Sequence, residues 1–162
     1  MRRAARTRRD RAGIIVVDSS AVVAILFGEA SSAALAERLA ADPDRVISAA
    51  SYLKVGTVLA GRRRSDRLKA IDDLDTFLDE AGIVLAPVDA AQARLALRAR
   101  IGWARGMGHG GMLNIGDAFA YALAKSLDAP LLFIGGDFAR GAAMNVRLRA
   151  GAKETPPFSC QP

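Results

Sequence analysis

Four short apolar runs separated by long stretches of helical periodicity constrain this chain more than any other feature. "IIVV" from Ile14, the segment Val46-Ile47-Ser48, "IVLAPV" from Ile83 and "PLLFIG" from Pro130 are too short for helices and rich in the aliphatic and β-branched residues of buried strands. Between them lie segments with apolar residues three and four apart. "SSAVVAILFG" opens on Ser19 and Ser20 and stops at Gly28, "SSAALAERLAA" follows, and positions 49–63 read as a helix ending in arginines. "SDRLKAIDDLDTFLDEAG" puts Leu68, Ile71, Leu74, Phe77 and Leu78 on one face and halts at Gly82. "DAAQARLALRARIGWA" and "DAFAYALAKSL" complete the set, joined by the loop "RGMGHGGMLNIG". Strands that alternate with helices imply an α/β fold: a mainly parallel sheet of four to five strands, with helices on both faces.

With 162 residues and 51% hydrophobic content, the chain is the size of one ordinary domain. Residues 14–141 are expected to form it. The net charge of +6 suggests nucleic acid, but residues 1–13, "MRRAARTRRDRAG", carry +5 of it. That segment reads as a basic, disordered extension able to add salt-sensitive affinity for RNA or DNA. Residues 142–162, with their prolines and polar side chains, read as an irregular tail. The single cysteine, Cys160, excludes a cysteine metal cluster and suits a reducing cytoplasm. No apolar run approaches the ~20 residues of a membrane span, and the N-terminus lacks the pattern of a secretory signal.

Gly106, Gly108 and Gly111 formally satisfy the dinucleotide-binding pattern, yet they follow a helical segment where that pattern needs a strand. The lone histidine, His109, lies in this glycine-rich loop without a metal-ligating or nucleophilic neighbour, and is read as solvent-exposed.

The aspartates are more informative. Asp18 ends the first strand, Asp117 opens a late helix and Asp137 follows the last strand, all at junctions where open parallel sheets bind ligands. Each alone is most simply a helix cap or a dipole partner. Together, three carboxylates at one sheet edge repel unless a cation or a basic ligand compensates, and hard oxygen donors suit Mg²⁺ or Mn²⁺. Metal-dependent hydrolysis of a phosphoester is the chemistry this arrangement favours.

The segments "VVDSSAVVAILFGE", "ISAASYL" and "LNIGDAFAYALAKSLDAPLLFIGGDFAR", in this order and at these intervals, resemble PIN-domain ribonucleases, in particular the VapC toxins of bacterial VapBC toxin–antitoxin pairs. The resemblance runs from Ile14 to Arg140. It implies a compact α/β/α domain, a Mg²⁺- or Mn²⁺-dependent endoribonuclease acting on RNA, often transfer RNA, homodimerisation, and neutralisation by a small cognate antitoxin. By position it makes Asp18 and Asp117 metal-binding acids, with Ser19 or Ser20 and Asn114 in support and Asp137 as a further acid. Where many such proteins place a second acidic ligand after "SYL", this chain has Lys54, and Gly136 stands where another acid is common.

Lys54 otherwise has no evident reason to sit in so apolar a helical run. The resemblance aims it into the acidic site. There an ammonium forms ion pairs, takes part of the metal's electrostatic place and cannot itself ligate Mg²⁺. An attenuated ribonuclease follows; the alternatives are a lysine that contacts the scissile phosphate, or a non-catalytic relative that binds antitoxin or RNA as a decoy. The antitoxin is expected on an apolar surface formed by Val22, Val23, Ile25, Leu26, Phe27 and the face from Tyr52 to Leu59.

Overall fold

Along the first strand, β1 (Ile14–Val17), every side chain is buried, and successive residues serve opposite cores. Ile14 and Val16 join one apolar cluster, while Ile15 and Val17 join another. A strand buried on both faces has to lie inside a sheet covered by helices on each side. The computed structural model, which describes residues 13–63, 66–106, 113–135 and 148–150, has this layout. After β1 come α1 (Ser19–Leu26), α2 (Ser32–Ala40), β2 (Asp44–Ser48), α3 (Ala49–Arg62), α4 (Arg67–Glu80), β3 (Ile83–Ala86), α5 (Ala90–Gly106), α6 (Ile115–Leu127), β4 (Leu131–Phe133) and β5 (Leu148–Ala150).

The sheet order is β3-β2-β1-β4-β5, and every pairing is parallel. From β1 the chain winds outward through β2 to β3, then crosses back through α5 and α6 to place β4 on the other side of β1. Connections therefore leave β1 and β4 in opposite directions, which opens a crevice at their carboxyl ends. Asp18 is the first residue beyond β1.

Helices α1 to α4 supply one core, with Val22, Leu35, Val55 and Leu74 fully buried against Ile15, Val17, Ile47 and Leu132. The other core joins α5 and α6, through Ala96, Ala120 and Leu123, to Ile14, Val16, Leu131 and Phe133. Of the partner surface expected on α1 and α3, one part lies in the core, while Leu53 on the same stretch is 69% exposed. Val22, Val55 and Leu59 are core residues, and Val23, Ile25, Leu26, Phe27 and Tyr52 pack partly buried against the same cluster. The sheet face needs them, because four helices cover it. Among the described residues no helix is long and apolar enough to cross a membrane.

Two boundaries differ from the sequence reading. The tail read as irregular from residue 142 contributes β5, which pairs with β4 through Leu131↔Leu148 and Phe133↔Ala150. The backbone groups on the outer side of β4 need partners, and Leu148–Ala150 supplies a strand to meet them. Helix α6 begins at Ile115, two residues before Asp117, because Asn114 caps it.

Arg45 on β2 ties the ends of two helices together. Its guanidinium donates to the carbonyls of Leu39 (2.6 Å) and Ala40 (3.2 Å) in the last turn of α2, and to Ala81 (2.8 Å), the C-cap of α4. A cation is well placed at helix C-termini, where carbonyls lack intrahelical partners. Arg45→Met is expected to lower unfolding free energy by about 1–3 kcal/mol, as carbonyls lose a charged donor. Denaturant unfolding checks this, with Arg45→Lys recovering only part of the loss.

Candidate active site

Asp18 does two jobs at the end of β1. Its extended backbone continues the strand, with its amide donating to the Leu132 carbonyl at 2.9 Å, and its side chain caps α1. Asp18 Oδ2 accepts from the Ser20 amide (2.8 Å) and the Ser20 hydroxyl (2.6 Å), with Ser19 Oγ farther off at 3.4 Å. The Ser20 oxygen in turn accepts from the amide of Ile134 at 3.0 Å, so one hydroxyl links the ends of β1 and β4. Oδ1 has no such partner. It is buried and unbonded within a residue that is 1% exposed.

Asp117, 4% exposed, sits in the first turn of α6, where the helix N-terminus favours a negative charge. Asn114 and Asp117 hold each other: Asn114 Oδ1 accepts from the Asp117 amide at 3.0 Å, and Asn114 Nδ2 donates to Asp117 Oδ2 at 2.6 Å. The cap and the carboxylate thus brace each other, one bond running to the Asp117 backbone and one between the two side chains. The remaining oxygen, Oδ1, accepts from Lys54 Nζ at 2.8 Å, and the same ammonium reaches Asn114 Oδ1 at 3.1 Å.

Asp18, Ser20, Lys54, Asn114 and Asp117 are therefore brought to one edge of the sheet. Asp137, Gly136 and His109 lie outside the described residues. Ser19 is buried but contributes little beside Ser20. Sequence reasoning missed Ser51, whose hydroxyl is buried without a partner in the first turn of α3, and Gly116, whose surroundings only the assembled fold reveals. The motif "LNIGD" sets Gly116 beside Asp117 but says nothing of what crosses it.

Burial pushes the Asp18 carboxyl above its ordinary range. The Ser20 hydroxyl pulls it back, the Asp117 charge pushes it up again, and the Ser20 amide and the Lys54 ammonium pull down. The two carboxylates therefore feel each other, and Lys54 relieves both. An orphaned, buried carboxylate oxygen is what a cation site offers before it is filled. The two acids offer oxygen donors of the kind a divalent ion takes. With Lys54 docked they do not fit one, because an ammonium already occupies Asp117 Oδ1 and among the described residues no three His, Cys, Asp or Glu side chains converge.

A carboxyl whose folded pKa is raised contributes stability below its unfolded value and loses it as pH rises through the folded one. Asp18→Asn keeps the cap acceptor and removes the buried charge, so in chelator at pH 7 it is expected to melt higher than the parent. The gain should shrink as pH falls through the raised folded value and vanish only below the ordinary carboxylate range, where the parent carboxyl is neutral folded and unfolded. Thermal melts across pH measure this.

A PIN domain model matches residues 15–143. Ribonuclease VapC28 of Mycobacterium tuberculosis is 45% identical over 124 residues, covering 76% of this chain and 91% of the relative. Ribonuclease VapC42 of the same species is 41% identical over 124 residues, covering 76% of this chain and 92% of the relative. The fold is similar to that of VapBC2 from Rickettsia felis bound to promoter DNA, with a TM-score of 0.63 at 18% identity over 85% of this chain and 98% of that one. It is also similar to VapC20 of Mycobacterium tuberculosis, a toxin that cleaves the sarcin–ricin loop, with a TM-score of 0.60 at 20% identity over 83% of this chain and 98% of that one. A match of this extent to the family model and to these relatives places the chain in the PIN-domain family, as a member of its VapC type.

Proposed function

We propose that this protein is the endoribonuclease toxin of a toxin–antitoxin pair, with cleavage attenuated by Lys54. The observation that carries the attenuation is the 2.8 Å ion pair between Lys54 Nζ and Asp117 Oδ1. In this reading Asp18 and Asp117 are the carboxylates that a Mg²⁺ or Mn²⁺ ion would require, and the lysine competes for the second of them. An approaching phosphodiester meets an acid pair that is already partly neutralised, with one carboxylate oxygen withdrawn. Asn114 and Ser20 orient the two acids, through Oδ2 in each case.

Relatives named as VapC ribonucleases, and a fold shared with a toxin in a VapBC complex, support RNA as substrate and a small antitoxin as partner. Transfer RNA is a candidate target. A homodimer acting in the cytoplasm completes the proposal, with Asp137 as a further acid and residues 1–13 as a basic extension of the domain.

The same ion pair favours a second reading, a non-catalytic relative that retains antitoxin or RNA binding as a decoy. Replacing Lys54 separates the two. Lys54→Glu restores an oxygen donor and removes a positive charge, so it should raise Mn²⁺ affinity and RNA cleavage by at least about tenfold. Asp117→Asn in that background should abolish the gain, and expression of Lys54→Glu without antitoxin should arrest growth. If the parent cleaves RNA and Lys54→Glu slows it, Lys54 is a phosphate contact and attenuation is wrong. If neither cleaves, the decoy reading holds.

A further inference from the structure

The path of the Lys54 side chain is unusual in one respect: it passes over a glycine in the first turn of another helix. A Cβ built on Gly116 would stand 2.4 Å from Lys54 Cδ and 3.5 Å from Cε. Real Cβ atoms do not approach other atoms that closely, so the lysine stem occupies the space an alanine methyl would need. Gly116 lies within α6 and has no positive φ, so backbone conformation does not demand glycine there. Glycine also weakens a helix relative to alanine. Room for the Lys54 stem is the physical use this structure makes of the missing side chain.

We propose that Gly116 is the seat of a displaceable latch, in which Lys54 docks on Asp117 as an internal cation and must leave before a divalent ion can bind the acid pair. The proposal rests on reading Asp18 and Asp117 as the cation-binding acids, and adds to it the residue that sets Lys54 in place and the exchange that opens the site. Asp117 is fixed from two sides, by its helix and by Asn114, with its side chain 5% exposed. Lys54 makes its hydrogen bonds only at its tip, while its stem rests on the open surface of Gly116. Its side chain is 36% exposed, while the helix beneath it is anchored independently by Val55 and Leu59 in the core. Of the two partners the lysine is therefore free to swing out, leaving the carboxylate in position. Asp18 Oδ1, buried and unbonded, is a polar atom the docked ammonium does not bond. Docking thus balances charge without satisfying the site's oxygens, which leaves a divalent ion or its water something to gain.

The test uses the full chain and Mn²⁺ alone. Gly116→Ala should drive the stem out and raise Mn²⁺ affinity several-fold, measured by calorimetry or by the loss of free-Mn²⁺ paramagnetic resonance. Lys54→Met should do the same, and Gly116→Ala added to Lys54→Met should change affinity no further. A merely structural glycine would shift melting temperature but leave an equal Mn²⁺ effect in both backgrounds, and that result overturns the latch. An unaltered Mn²⁺ affinity in a folded Gly116→Ala also overturns it. The parent protein provides a measurement that needs no variant: mild lysine acylation read by mass spectrometry should be slow at Lys54 and accelerate at least severalfold when Mn²⁺ saturates the site. Mn²⁺ binding with unchanged Lys54 labelling contradicts displacement. If Lys54→Met binds Mn²⁺ tightly and Gly116→Ala does not, the seat fails while the acid pair keeps its role. If no variant binds Mn²⁺, the reading of the acid pair fails together with the latch.

Discussion

Two carboxylates buried at the carboxyl ends of parallel strands are the constraint around which this molecule is arranged. Asp18 and Asp117 are 1% and 4% exposed, and each would cost several kcal/mol if left uncompensated. The fold compensates them by different means. Asp18 is tied to the start of α1 and, through Ser20, to the backbone after β4. Asp117 rests on the first turn of α6, braced by its own cap and met by an ammonium from α3. The helix ends that satisfy the charges are the same helix ends that the sheet topology delivers to the β1/β4 crevice. Sheet order and site electrostatics are in this sense one feature.

The cation beside these two acids belongs to the chain itself. A cation supplied in cis neutralises the acids at no translational cost. The consequence is a resting site that is electrostatically comfortable but incompletely bonded, since Asp18 Oδ1 keeps no partner. Under the proposed function Lys54 links stability and activity in opposite directions, since the ammonium that steadies the fold holds an oxygen a divalent ion would take. Gly116 makes this arrangement sterically feasible, and it does so from a position with no charge and no side chain of its own.

Much of this was legible in the sequence, and for physical reasons. Strand and helix periods are local, so "IIVV", "IVLA" and the amphipathic helices declare themselves, and Ser19-Ser20 and Gly28 mark the limits of α1 closely. Asp18 reads both as a cap and as a ligand candidate, and the structure makes it the cap while leaving one oxygen open. Encounters between distant segments were not legible. Lys54 and Asp117 are 63 positions apart, and their pairing was expected only through the family resemblance. The Gly116 seat, the Ser20 link to Ile134 and the Arg45 clamp depend on which helix passes over which, information that no local period carries. The start of α6 was misplaced because Ile115 and Gly116 read as loop until Asn114 is seen to cap them. Which apolar residues of α1 and α3 enter the core, as Val22, Val55 and Leu59 do, depends on the assembled sheet and cannot be counted from one chain of letters.

The direct measurement is a double-mutant cycle between Lys54 and Asp117 on unfolding free energy, carried out in chelator with Lys54→Met, Asp117→Ala and the pair. If the ammonium is the resident counter-ion of a buried carboxylate, the two substitutions should be coupled by about 1 kcal/mol or more, with the double variant more stable than the sum of the singles predicts. A coupling within about 0.3–0.5 kcal/mol of zero, the range of independent sites, would contradict it.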